Sequence, residues 1–216
     1  MLTLELNKQA AEDMRHLLNR GYSRASAVRF VGDRFALGKP ERMVLYRCIH
    51  PSEASQTRSS KLVKPEMLRG RAMALDGFNV MWTIYWAING HPIFLCDDGI
   101  IRDITVARGR PSIEKAGGTV NPLTAALSDL SPSSVNLIFD EQISNSAAVS
   151  AYINERLNSA GIESRSSTSR TADFDISRAK GVVCSSDSII VDKAKEAFDL
   201  AGFVVVRVLG MRPIKI

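Results

Sequence analysis

Ala74-Leu75-Asp76-Gly77-Phe78-Asn79-Val80 is the stretch on which the fold turns. An apolar run delivers an aspartate to its end, and a glycine lets the chain turn into the next element. An open α/β sheet presents a carboxylate at the carboxyl edge of a strand in this way. Two later stretches repeat the device: Val135-Asn136-Leu137-Ile138-Phe139-Asp140, and Val182-Val183-Cys184-Ser185-Ser186-Asp187. A sheet gains little by collecting like charges at one edge. A hard divalent cation needs them, because it takes carboxylate oxygens.

Around these stretches, apolar runs alternate with helical patterns. Phe78 to Ile88 reads as a helix with Phe78, Trp82 and Trp86 on one face, expected to pack against the sheet. Pro92 to Cys96 reads as a short strand before Asp97-Asp98-Gly99. Ile100 to Ala107 reads as a helix or helical turn, Gly109 to Gly118 as a mobile loop, and Pro122 to Leu130 as a helix. Residues 135–139 form a strand, Ala147 to Ser159 a helix, Ile162 to Ser166 a strand and Gly181 to Cys184 another. Asp187 to Ala201 reads as one helix, and Phe203 to Val208 as the strand that closes the sheet. The expected fold class is α/β: a mostly parallel, doubly wound, Rossmann-like sheet covered on both faces, with a small N-terminal all-helical domain.

The boundary between the two falls near residue 68, giving domains of 1–68 and 69–216, with Lys61 to Gly70 as the linker. Gly21, Gly38, Ser23 and Pro40 punctuate short helices in the first domain. Residues 1–70 hold 13 Lys+Arg against 7 Asp+Glu, while residues 71–216 hold 15 against 16. A basic module joined to a nearly neutral one suits a polyanion held by the first part. Arg20, Arg24 and Arg29 are the candidate nucleic-acid contacts there, and Arg102 in the second part. The bland alternative is that the positive charge only keeps the surface solvated.

Several classes are disfavoured. Cys48, Cys96 and Cys184 are far apart, and with His16, His50 and His91 they form no ligand-spaced group. No apolar stretch reaches the roughly eighteen residues of a membrane span, so no membrane partner is expected. Met1-Leu2-Thr3-Leu4-Glu5 lacks the layout of a signal peptide, which points to the cytoplasm. No Gly-x-Gly-x-x-Gly follows a strand and no Walker lysine loop occurs. An aspartyl-nucleophile phosphohydrolase would want a second aspartate two residues after Asp76, where Phe78 stands.

The candidate site is therefore acidic. Asp76, Asp140 and Asp187 meet where strand order reverses, and a divalent cation, Mg²⁺ or Mn²⁺, relieves their repulsion. Asp98, Asp103, Asp173 and Asp175 are candidate additions. Asn79 can orient Asp76 or bind a water held by the metal. Each aspartate also has a structural alternative as a helix cap.

These residues carry a resemblance. Asp76-Gly77-Phe78-Asn79 after a strand resembles the opening motif of the PIN-like nucleases, above all their NYN branch. Phe139-Asp140 at a second strand end, Ala172-Asp173 before a short helix and Ser186-Asp187 after a late strand match that branch in order and spacing. Only seven residues separate Asp173 from Gly181, fewer than the branch usually has, so Asp175 is an alternative to Asp173. The resemblance covers residues 71–208. It implies a PIN-like α/β domain that hydrolyses phosphodiester bonds in RNA with Mg²⁺ or Mn²⁺. Asp76, Asp140 and Asp187 would hold the metal, with Asp103 or Asp173 completing the shell. The whole chain also resembles an uncharacterised, mainly archaeal family that pairs a small basic helical domain with such a domain, and Asp97-Asp98-Gly99-Ile100-Ile101-Arg102-Asp103 resembles a stretch characteristic of it. The alternative is a non-catalytic nucleic-acid-binding or scaffold protein on a degenerate PIN-like fold. Either reading leaves room for a homo-oligomer.

Overall fold

The computed structural model describes residues 7–105 and 111–216. The expected absence of a leader at the first five residues, and parts of the helix expected to end at Ala107 and of the loop expected from Gly109, lie outside the described residues. Four helices come first: α1 (Lys8–Asn19), α2 (Arg24–Arg34), α3 (Lys39–Cys48) and α4 (Ser52–Lys61). Then come β1 (Ala72–Asp76), α5 (Gly77–Ile88), β2 (Ile93–Leu95), β3 (Ile101–Asp103) and α6 (Ile113–Leu130). The remainder runs β4 (Ser134–Asp140), α7 (Ser146–Ser159), β5 (Ser164–Ser169), α8 (Ala172–Ser177), β6 (Val182–Cys184), α9 (Ser188–Lys193), α10 (Leu200–Phe203) and β7 (Ile214–Lys215).

The chain divides into two compact units. One comprises the described residues up to Ser60 with Pro92–Ile104 and Pro213–Ile216; the other comprises Lys61–His91 and the described part of Thr105–Arg212. The expected N-terminal helical bundle is present. Asn7 and Ser23 cap α1 and α2 through side-chain acceptors, and Pro40 sits in the first turn of α3. Ala10, Met14, Ala27, Val31 and Leu45 bury together at its centre. Three short strands complete this unit: β2 pairs antiparallel with β3 and parallel with β7. Phe94, Cys96 and Ile104 cover Val44 and Cys48 of α3. The stretch from Ile100, expected to be helical, is thus a hairpin strand. Gly99, at φ +79°, makes the turn, and β-branched Ile100 and Ile101 favour extension.

The second unit holds a four-stranded, wholly parallel sheet in the order β5-β4-β1-β6. Alternation along the strands sorts residues between two faces. Met73, Leu75, Val135, Leu137 and Phe139 point into the main core with α5, α6 and α7, where Trp82 is also buried. Ile138 and Val183 face the other way, against Ala172, Ile176, Ile190 and Ala194 of the α8–α9 layer. Helices flank both faces, as the continuous apolar strands required.

Three further elements differ from expectation. Gly117 and Gly118 lie inside α6 rather than in a loop. A Cβ at Gly117 would come within 3.3 Å of the Tyr152 hydroxyl, so the bare backbone permits the close approach of α7. The helix from Asp187 stops at Lys193, and the chain then extends so that the Val183 amide donates to the Glu196 carbonyl and the Phe198 amide to the Val183 carbonyl. Val204–Val208, a β-branched run that reads as a strand, is a π-helical turn that buries Val204 and Val205.

Candidate functional site

The parallel register fixes how the strand-end aspartates stand. Asp76 lies opposite Ile138 of β4, and Leu75 opposite Cys184 of β6. Asp140 therefore projects two residues beyond Asp76, about 7 Å farther along the strand direction, while Asp187 stands past the end of β6, where its amide donates to the Ser185 hydroxyl that also meets Asp76. β4 and β6 flank β1 on opposite sides, so Asp140 and Asp187 come from opposite flanks of Asp76. Asp76 and Asp140 share parity with Ile138, which aims them toward the α8–α9 face.

Gly77 makes room for a close approach. A Cβ there would stand 2.4 Å from the Phe139 ring, and that ring in turn meets Phe78 edge-on at 5.0 Å between centroids. The Asp-Gly-Phe and Phe-Asp motifs are thus packed against each other, which holds the ends of β1 and β4 in register.

Asp76 caps α5. Its Oδ1 accepts from the Asn79 backbone N–H at 3.2 Å, and its Oδ2 accepts from the Ser185 hydroxyl at 2.8 Å. Asn79 is buried, and its side-chain carbonyl accepts from the Ser186 amide at 2.9 Å and the Ser186 hydroxyl at 2.7 Å. The Ser185 hydroxyl oxygen accepts from the Asp187 amide at 3.0 Å. Asn79 therefore stitches the end of β1 to the end of β6, and only its backbone touches Asp76. Asp187 accepts from Ile189 at 2.7 Å, and Asp140 from the Gln142 amide at 2.8 Å, so both structural cap roles are real.

The electrostatics tie four acids together. Burial lifts the Asp76 carboxyl to about 6, against the hydrogen bonds from Ser185 and Asn79, and Asp187 and Asp173 lift it further. Partial burial raises Asp173 too, followed by repulsion from Asp187 and Asp140; Lys193 offsets this in part. Asp173, in the first turn of α8, thus belongs with the strand-end set. Asp175 does not: its carboxylate takes the Ser169 and Thr171 hydroxyls and fastens the turn before α8.

Asp103 and Arg102 have partners of their own. Both belong to the helical unit and are buried there. Asp103 lies 3.6 Å from Arg47. Arg102 donates twice to Asp98, at 2.7 and 2.8 Å, and Asp98 also meets Arg58 at 3.3 Å. Asp98 stays ionised, since Arg102 holds its carboxyl below the usual range against the burial that opposes it. The acidic signal at 97–103 builds a hairpin rather than a ligand shell. Arg24 is likewise turned inward, donating to the Tyr46 and Ile49 carbonyls at 2.6 Å, whereas Arg20 and Arg29 are exposed.

Among the described residues, no three His, Cys, Asp or Glu side chains stand close enough to hold a metal ion together. The strand geometry explains this, because the flanking aspartates lie on either side of Asp76. The donor chemistry still fits Mg²⁺, which keeps several waters and takes only one or two carboxylates. Among the described residues, no helix is long and apolar enough to cross a membrane.

Residues 65–203, more than half of the chain, match the family described as "Domain of unknown function (DUF5616)". The chain belongs to the DUF5616 family. The DUF5616 match contains Asp76, Asn79, Asp140, Asp173 and Asp187. Residues 8–61 match a second family, described as "Protein of unknown function (DUF434)", so the two-part organisation appears in the comparisons as well. A relative from Methanocaldococcus jannaschii, "Uncharacterized protein MJ0935", is 31% identical over 196 residues, covering 89% of this chain and 93% of its own. An archaeal relative spanning both parts agrees with the sequence reading. No solved structure matches the chain.

Proposed function

We propose that the α/β unit is a PIN-like, NYN-type nuclease that hydrolyses phosphodiester bonds in RNA with Mg²⁺ or Mn²⁺. The observation that carries this reading is the coupled acid set at the carboxyl edge of a parallel sheet, with Asp76 lifted to about 6. Repelling carboxylates kept together without a full complement of cations suit a site whose missing charge arrives with a metal. Asp76 with Asp187 or Asp173 would hold the ion, and Asp140 would reach it from the other flank. The bound cation would supply positive charge against the phosphoryl oxygens and activate the attacking water. Asp76 is held in place for this by Ser185 and Asn79, and Asn79 acts as a positioning residue through Ser186. Asp173, exposed at the rim, is placed to take a proton from an approaching water. Arg20 and Arg29 of the helical unit suit backbone phosphates; Arg29 lines a hollow with the exposed rings of Tyr22 and Phe30.

A second reading, a non-catalytic nucleic-acid-binding scaffold, is favoured by the lack of a three-acid group among the described residues. The experiment that separates them pairs cleavage with melting. Wild type should cut single-stranded RNA in Mn²⁺ and melt several degrees higher with Mn²⁺ than with EDTA, and Asp76→Asn should lose both effects. A wild-type melt indifferent to Mn²⁺, with no cleavage across varied RNAs, would leave the scaffold reading.

A further inference from the structure

The α8–α9 layer displays an aromatic ring among cations beside the acid set. Phe174, the neighbour of Asp173, keeps 53% of its surface exposed. The Arg178 guanidinium, one helical turn on, stands 4.8 Å from the centre of its ring. Phe174, Arg178 and Lys193 line a hollow of about 380 Å³. Arg178 also lines a larger hollow, about 820 Å³, which runs along the second face of the sheet past Asn136 and gathers Arg165 and Lys180. Two acids, Glu163 and Asp175, border this larger hollow, and Asp175 is already engaged by Ser169 and Thr171. Arg178 lines both hollows, their four cations outnumber the two acids, and Lys193 in the smaller one acts on Asp173 of the acid set.

We propose that the two hollows together form a track for a single-stranded nucleic acid. One base stacks on the Phe174 ring, which the Arg178 guanidinium backs from the other side. The phosphates lie on Lys193 and Arg178, then on Lys180 and Arg165. An exposed ring selects an unpaired base, because bases in a duplex are already stacked on one another. A partner protein would be expected to cover the ring with apolar surface, and the cations around it favour a polyanion instead. The inference rests on the nuclease reading only for its direction, since a strand on this track is delivered to the acid set.

Binding of the full chain to a labelled oligouridylate of about a dozen nucleotides, followed by fluorescence anisotropy in EDTA and low salt, tests this without catalysis. Phe174→Ala and the double variant R178E/K193E should each bind about tenfold more weakly, Phe174→Trp should bind as wild type does, and a duplex of the same length should compete poorly. Phe174, Arg178 and Lys193 are all exposed, so Phe174→Ala should melt with the wild type and R178E/K193E should lose only what Lys193 contributes against Asp173. Wild-type affinity in both weakened variants, or no binding by the wild type, overturns the proposal. Track-dependent binding without cleavage in either Mg²⁺ or Mn²⁺ removes the nuclease reading and leaves the track. Normal cleavage by Phe174→Ala and R178E/K193E does the reverse.

Discussion

Asp76 carries its instability openly, and pH reports it. A carboxyl raised to about 6 in the folded chain, from 3.8 when unfolded, keeps its proton longer in the native state. Its contribution is therefore whole below the unfolded value, falls as pH rises toward 6, and stays lost above. The shift corresponds to at most ~3 kcal/mol, less the discount for a residue that retains some exposure. Asp76→Asn keeps an acceptor for the Asn79 amide and removes the charge. In EDTA at pH 8 it should unfold at higher urea than wild type, by about 1–3 kcal/mol, and the gap should close near pH 4. A variant less stable than wild type at both pH values would make Asp76 a cap and nothing more. Asp76, Asp140 and Asp187 were legible in the sequence because each follows an apolar run, whereas Asp173, after the polar stretch 164–171, was joined to them through the resemblance. The Ser185 and Ser186 contacts were not, since a serine after a strand carries no signal of which carboxylate or amide it will meet.

The elements show where local pattern is enough and where packing overrides it. β1, α5, β4 and α7 fell where their apolar periods put them. The run Val204-Val205-Val206-Arg207-Val208 reads as a strand by side-chain type, yet the core beside α6 takes it as a helical turn, and burial outweighs β-propensity of about 1 kcal/mol. The acids at 97–103 misled for a different reason. Spacing in sequence cannot tell a carboxylate awaiting a metal from one awaiting Arg102, and only the fold supplies the arginine. The contact between α5 and β4 is open to a direct test. Gly77→Ala drives a Cβ into the Phe139 ring and should cost about 1–3 kcal/mol in urea unfolding, and Phe139→Leu in the same chain should recover part of it. If Gly77→Ala matches wild type, the Asp-Gly motif is not set by that ring.

At the scale of the molecule, the units are compact but the chain is not divided between them in order. Residues 92–104 and 213–216 leave the α/β unit to complete the helical one. A fragment of residues 1–61 lacks β2, β3 and β7, so Val44 and Cys48 lose their cover, and Arg58 and His50 lose Asp98. It should show a broad, low melt by circular dichroism where the full chain shows a sharp one. A fragment as cooperative and as stable as the full chain would mean the strands are ornament. No sequence pattern announces such borrowing, because each strand looks locally like a neighbour of the elements beside it.

The interleaving also orders events on the ribosome. The helices of residues 8–61 emerge early, but the strand that pairs with β2 is made only when residue 214 is reached. At about 5–20 residues per second, that is a wait of roughly 6–24 s during which Phe94 and its neighbours have an unpaired edge. The helices of residues 8–61 are thus made well before the unit they belong to can be finished, and a chaperone that binds nascent chains would find its substrate there.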